Sequence, residues 1–390
     1  MATHVTGLGL VSSMGLDVQN NWSALLAKRS GIGPLTRLQT RHNVPAGEIK
    51  ETNAELAGLL GLDTRKTYSR TALLGMMAAK EAINDAGIDP SRMKVALVSG
   101  TSVGGMDLSE QYFTDRHEGR RTHLRYLFEH DCGASTFRIA EYLGIRDFIT
   151  TISTACSSSA NAVMMADRLL HSQNFDAVVM GGTDPLCKFT INGFTSLMIL
   201  DHEQCRPFDD SRNGLNLGEG AGFLVLQREP GKNHSYCNLL GYANANDAFH
   251  QTATSANGEG PYLAMKGAIE KAGLQPADID YVNAHGTGTG NNDLSESTAM
   301  GRLFGSQLPP FSSTKVYTGH TLGACGGIEA AFCAMMLKND TIIPTFNFKT
   351  PMHELAVRPE TEVKTNAGIK TIMSNSFGFG GNVSSLIFGI

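Results

Sequence analysis

The feature that most constrains this chain is an internal match at a constant offset of 186 residues. Ala82-Ile83-Asn84-Asp85-Ala86-Gly87-Ile88-Asp89-Pro90 aligns with Ala268-Ile269-Glu270-Lys271-Ala272-Gly273-Leu274-Gln275-Pro276, and Ser99-Gly100-Thr101 aligns with His285-Gly286-Thr287. Each copy reads as helix, turn, strand and loop. The apolar positions of both helices recur at helical spacing. Each helix runs into a glycine, which takes positive φ without strain, and then into a proline that cannot continue it. The strands are the short apolar runs VALVSG and YVNAHG. Alternating strands and helices in two copies predict a layered α/β fold, with ligands at the carboxyl ends of the strands.

A second match, at an offset of 160, pairs Ser153-Thr154 with Ser313-Thr314. Each pair opens a small-residue turn followed by an apolar helix, SANAVMMADRLL in one copy and GGIEAAFCAMML in the other. The offsets differ by 26, so the first copy carries that surplus, placed at about 102–150 where the sequence holds DRHEGRRTHLRYLFEH. We place the halves at 1–235 and 236–390. No compositional break marks a linker, and the halves are expected to pack as one body.

Composition narrows the function. With 32 Lys+Arg against 37 Asp+Glu and no long basic run, the chain has no general attraction to nucleic acid. The 43 glycines and 41% hydrophobic residues point to a compact chain with close backbone approaches. There is no apolar stretch of membrane-spanning length, and the start MATHVTGLGLVSSMG lacks a secretory pattern, so a cytoplasmic protein is expected. The seven cysteines are scattered without a C-x-x-C pair, which indicates neither a disulfide framework nor a metal site. The phosphate-binding G-x-x-x-x-G-K-[ST] loop is absent and the dinucleotide fingerprint incomplete, so no nucleotide cofactor is expected.

Three segments carry candidate chemistry. In TTISTACSSSANAVMMADRLL, Cys156 follows a predicted strand and stands at the first turn of a helix, where free N–H groups and the helix dipole favour a thiolate nucleophile. The other six cysteines, Cys325 included, lack that setting and read as core or surface thiols. His285 in VNAHGTGTGNND and His320 in STKVYTGHTLGACGG sit in equivalent strand-end loops of the second half. Lys315 and Glu329 bracket His320, and an ordinary structural salt bridge explains them equally well. In SNSFGFGGNVSSLIFG, glycines around Phe377 and Phe379 let backbone N–H groups approach a ligand closely.

Together, TACSSS, AHGTGTGNND, STKVYTGHTLGACGGIE and SNSFGFGGN resemble the β-ketoacyl-acyl carrier protein synthases of the condensing-enzyme family. The resemblance spans the chain, from VTGLGLVSSMG through RPFDDSRNGLNLGEGAG to the end. It implies a duplicated thiolase-like fold in five layers, α-β-α-β-α, with a five-stranded sheet in each half. It also implies decarboxylative Claisen condensation of an acyl chain with malonyl-acyl carrier protein, without metal or other cofactor, the substrates riding on the phosphopantetheine of the carrier. By the same resemblance Cys156 is the nucleophile and His285 and His320 hold the malonyl thioester. Lys315 and Glu329 are a supporting pair, and the N–H groups of Cys156 and Phe379 form an oxyanion hole, with Phe379 also a gate. Thr287, Thr289 and Phe377 contact the substrate arm, and the protein is a dimer whose interface draws on 102–150.

A carrier protein is acidic, so a local basic patch is expected from Arg65, Lys66, Arg70, Arg120, Arg121 and Arg125. The chain departs from the family pattern at Gly290, at Asn382-Val383 and in the serines after Cys156. Asp107, in a region that lines the acyl pocket or its dimer floor in relatives, suggests a polar chain end. The leading reading is fatty-acid-type elongation. The alternative is the ketosynthase subunit of a type II polyketide or aryl-polyene pathway, paired with a chain-length-factor homologue. A non-catalytic partner subunit is disfavoured because Cys156, His285 and His320 are all retained, and a thiolase because the C-terminal segment has no second cysteine.

Overall fold

The computed structural model describes residues 3–172, 175–230 and 235–390. Ten strands form one sheet: β1 (His4–Ser12), β2 (Val95–Gly100), β3 (Phe148–Ile152), β4 (Ala177–Asp184), β5 (Gly220–Gln227), β6 (Cys237–Asn246), β7 (Tyr281–Asn283), β8 (Phe311–Ser312), β9 (Thr371–Phe377) and β10 (Asn382–Gly389). Their order is β8-β7-β9-β10-β6-β1-β5-β4-β2-β3. Read outward from the middle, the two sets of five repeat each other. In each, the central strand pairs antiparallel with the next, that one antiparallel with the third, and the outer pairings are parallel. The sets join where His4 and Val5 of β1 oppose Asn238 and Cys237 of β6. The expected pair of five-stranded sheets is therefore continuous at that short seam.

The helices that build the layers and the site are α1 (Arg70–Ala86), α2 (Met106–His117), α3 (Cys132–Leu143), α4 (Ser158–Ser172), α5 (Lys188–Ser196), α6 (Glu259–Ala272), α7 (Gly290–Phe304) and α8 (Cys325–Lys338), with shorter helices at Val18–Leu26, Asn53–Leu59, Arg125–Phe128 and Lys315–Thr318. The helices of the repeat, α1 and α6, end as expected at Gly87 and Gly273, with φ of 66° and 69°. They cover the outer faces, α1 on β1, β5 and β4 and α6 on β6 and β10. Between the two sets of strands lie α4, against β4 and β2, and α8, against β5 and β9. The result is five layers.

The central layer explains why α8 shows no polar stripe: every residue from Cys325 to Leu337 is buried, because both of its faces meet protein. The helices α4 and α8 approach so closely that a Cβ at Gly326 would lie 2.7 Å from the backbone nitrogen of Ala160. Such contact demands the small residues found at both sites. Between β2 and β3 run α2 and α3; α3 packs on α1 as α7 packs on α6, so α2 and the chain leading to α3 are the surplus of the first copy. No helix among the described residues is long and apolar enough to cross a membrane.

Candidate active site

The nucleophile candidate is set by a sharp turn. Between β3 and α4 the backbone reverses through Ala155, a non-glycine residue at φ 51°. Such a conformation costs about 1–3 kcal/mol and persists only when its surroundings enforce it. Here the Thr154 N–H donates to Ser158 Oγ at 2.8 Å and Ser158 Oγ donates to the Ala155 carbonyl at 2.6 Å. Ser157 Oγ donates to Asn382 Oδ1 at 2.6 Å, and the same oxygen accepts from Asn161 Nδ2 at 2.9 Å and Asn244 Nδ2 at 2.8 Å. The departure at Asn382 thus ties the Cys156 turn to β6 and the start of β10.

Cys156 Sγ lies 3.0 Å from His320 Nε2. The His285 ring meets the His320 ring edge-on, with centroids 5.3 Å apart, and lies 5.7 Å from the Phe377 ring. Behind His320, Lys315 Nζ pairs with Glu329 Oε1 at 2.5 Å, both side chains buried. Burial works against the Lys315 charge, but Glu329, with Cys325 and Glu296, overcomes it and holds the ammonium protonated. Burial and the Lys315 charge push both histidines well below the ordinary range, His285 also feeling His320, so the rings are neutral.

The thiol departs from expectation. Burial pushes Cys156 up to about 11, with Lys315 and the Phe379 N–H pulling against it. Withdrawal of this sulfur from water outweighs the helix start and the neighbouring charge. Cys156 is a neutral thiol at rest, and it needs a base.

His285 is located by a carboxylate that sequence reasoning missed. Glu296 on α7 accepts from the N–H of His285 at 2.9 Å, from that of Gly286 at 2.8 Å and from Asn375 Nδ2 at 3.0 Å. Burial raises its pKa to about 7 against those hydrogen bonds. One turn earlier Asp293 accepts from the N–H groups of Thr287, Gly288 and Phe208. Acids at the first turns of the helix after a candidate loop were the available signal.

A cavity of about 150 Å³ opens at the thiol, lined by Cys156, His285, His320, Phe377, Phe379, Thr287 and Thr289 among others. Its apolar wall includes Phe194 of α5, whose ring stacks on Phe379 with centroids 5.6 Å apart. Lys315 and Glu329 lie behind the cavity rather than on its wall. Thr287 and Thr289 share a hydroxyl contact of 2.9 Å near the cavity's polar rim of Thr252, Thr254 and Asn291.

Asp107 does not line the cavity at the thiol; its carboxylate accepts the N–H of Arg70 at 2.9 Å and so satisfies a free donor at the start of α1. Two expectations need correction. Arg70 does not belong to a surface patch. It is 1% exposed and forks onto Glu219, with Nε to Oε2 at 2.7 Å and Nη2 to Oε1 at 2.8 Å. Cys325 is not an ordinary core thiol, since its sulfur lies 2.9 Å from His320 Nδ1.

The chain matches two family descriptions in tandem, "Beta-ketoacyl synthase, N-terminal domain" over residues 3–231 and "Beta-ketoacyl synthase, C-terminal domain" over 236–349. It is 33% identical to the 3-oxoacyl-[acyl-carrier-protein] synthase 2 of Staphylococcus aureus, with 98% of this chain and 100% of that one covered. Among solved structures, the ishigamide ketosynthase/chain length factor superposes with a TM-score of 0.91 at 28% identity, covering 100% of this chain and 98% of that one. The ketosynthase ApeO in complex with its chain length factor ApeC, from Xenorhabdus doucetiae, gives 0.87 at 30% identity with the same coverage.

Proposed function

The chain belongs to the β-ketoacyl synthase family and is a condensing acyltransferase, and on that premise we propose how its residues divide the reaction. The observation that carries the reading is the Cys156–His320 contact of 3.0 Å beside the His285 ring, at one cavity. An acyl carrier protein presents the acyl thioester on its phosphopantetheine arm, with Thr287, Thr289 and Phe377 along the arm's path. Cys156 gives its proton to His320 Nε2, and the sulfur attacks the thioester carbonyl. The oxyanion sits against the N–H groups of Cys156 and Phe379, each well-aimed donor contributing about 3–4 kcal/mol. The carrier's C–S bond breaks, and its sulfur leaves with the proton from Nε2.

Malonyl carrier protein binds next. The electrons of its bond to the carboxylate pass into an enolate as carbon dioxide departs. Imidazole N–H groups of His285 and His320 hold the enolate oxygen. The carbanion attacks the acyl carbonyl, the bond to Cys156 breaks, and a proton from solvent restores the thiol. The product is a β-ketoacyl carrier protein two carbons longer. Residues 1–235 supply the nucleophile and 236–390 the histidine pair, while Lys315–Glu329 fixes a positive charge behind both.

The exposed Lys66, Arg121 and Arg125 are our candidates for carrier docking; Arg65 and Arg120, also exposed, already pair with Asp63 and with Asp115 and Glu118. We infer a subunit partner on the flank of α2, α3 and α5. There Phe113, Phe137 and Phe189 are 64%, 62% and 57% exposed, and β3 bonds only to β2 among the described residues. Fatty-acid-type elongation is supported by the 33% identical relative. The second reading, a ketosynthase working with a chain-length-factor homologue, is favoured by the two ketosynthase/chain length factor structures that this chain resembles. Purified protein offered aliphatic, polyenoyl and aryl carrier-protein thioesters tests both. Condensation of the aliphatic chains alone supports the first, and dependence on a partner with polyenoyl or aryl chains the second. Uptake of none contradicts both.

A further inference from the structure

His320 must serve two opposed states. To take the proton of Cys156 its Nε2 has to be bare, and to hold an enolate oxygen the same nitrogen has to carry a proton. A neutral imidazole has one N–H, so whatever faces Nδ1 decides which state the ring adopts. That partner is Cys325 Sγ, 2.9 Å from Nδ1, at the first residue of α8. A backbone carbonyl there could only accept and a backbone N–H only donate, whereas a thiol does either.

Resting on the function proposed above, we propose that Cys325 is a positioning residue for His320. Its sulfur accepts Nδ1–H while bare Nε2 faces Cys156, and still accepts it in the transient imidazolium formed when Nε2 takes the Cys156 proton; when the ring gives its Nδ1 proton to solvent and takes one at Nε2, the S–H donates to Nδ1. Burial holds Cys325 at about 12, so it stays a thiol through both states. Thr321 Oγ1 donates to the same sulfur at 3.4 Å and fixes its position. The titratable groups facing the pair are Cys156 from the turn before α4, His285 from the loop after β7, Lys315, Glu329 within α8, and Asp184, which accepts the Gly323 N–H at 2.6 Å. The two sulfurs contact opposite nitrogens of one ring, so the imidazole stands between them and they are not a pair set for a disulfide.

In Cys325→Ala, an N–H at Nδ1 would be buried without a partner, which costs more than a bare nitrogen there. His285 Nδ1 is already buried without one. The variant ring therefore settles with its proton on Nε2, the state suited to decarboxylation and unsuited to receiving the Cys156 proton. Nitrogen-15 NMR of histidine-labelled protein, with His320→Gln assigning the signal, should show Nδ1–H in the resting wild type. It should show Nε2–H in Cys325→Ala and a return toward wild type in Cys325→Ser. Acyl transfer to Cys156 should fall on the order of tenfold in the alanine variant, about one hydrogen bond's worth, with malonyl decarboxylation nearly unchanged and serine restoring the transfer. The same tautomer in wild type and Cys325→Ala, or equal loss in both half-reactions, would overturn the proposal. A wild type that accepts no acyl group would overturn the reaction instead, while the tautomer measurement still decides the role of Cys325.

Discussion

The two halves of the repeat offer the same two places for chemistry and fill them differently. At the end of the inner parallel strand, the first half has Ser99 and the second His285. Ser99 is fully buried and its hydroxyl has no hydrogen-bond partner among the described residues, whereas His285 lines the cavity. Between the outer strand and the central helix, the first half crosses from β3 to α4 through residues 153–157, a strained turn that presents Cys156. The second crosses from β8 to α8 through residues 313–324, room enough for Lys315, a single helical turn over Lys315–Thr318 and His320. A duplicated scaffold has thus become asymmetric: one copy holds the nucleophile rigidly, and the longer connection of the other carries the groups that move protons. The central helices bring the two together.

This asymmetry can be broken from either side. Cys156→Ala should abolish acyl transfer and condensation while leaving the melting temperature within a few degrees of wild type, measured by carrier-protein assay and calorimetry. On the other side, His285→Ala and His320→Ala should each lower malonyl decarboxylation by about 10²–10³, as expected for loss of an enolate donor. His320→Ala should additionally slow acylation of Cys156, read by rapid-quench mass analysis, and His285→Ala should slow it much less.

Glu329→Ala leaves the Lys315 charge buried and unpaired, and denaturant unfolding should register a loss of about 3–5 kcal/mol. The pH dependence sharpens the comparison further. Both histidines sit below their ordinary value of 6.5, so below that pH the unfolded chain binds more protons than the folded one. The stability they contribute is present above pH 6.5 and is lost as the pH falls, by up to about 1.4 kcal/mol per unit for each ring. Subtracting the profile of the His285→Gln/His320→Gln double variant from that of wild type isolates this contribution from the buried acids Glu296 and Asp184. The smallest effect belongs to the tie between the halves: Asn382→Ala should cost about 1 kcal/mol and slow acylation only a few-fold.

What the sequence disclosed was local. The repeat exposes the layered fold because its helices, terminal glycines and strands lie within a few dozen residues. Cys156, His285 and His320 stand out for the same reason, each in a small-residue loop at the end of a strand. What it hid depends on partners far along the chain. Arg70 looks like a surface cation until Glu219, 149 residues away, is seen to pair with it. The bond of Asp107 to the N–H of Arg70 likewise joins residues 37 positions apart. The raised pKa of Cys156 follows from burial by both halves, which no window around the cysteine contains, and Cys325 acquires its contact from the way the backbone doubles back after His320. The spacing of Lys315 and Glu329 hinted at a pair, but only the packing of α8 placed it behind the histidines.

Cys156 carries the acyl group between two histidine-assisted steps in the proposed reaction. Incubation of the intact protein with acyl carrier protein thioesters of several chain types, followed by peptide mapping, tests that directly. The expected result is one acyl adduct, on Cys156, which disappears on adding malonyl carrier protein as the elongated β-ketoacyl product forms. An adduct on another cysteine, or a Cys156 adduct that malonyl carrier protein never discharges, would contradict it.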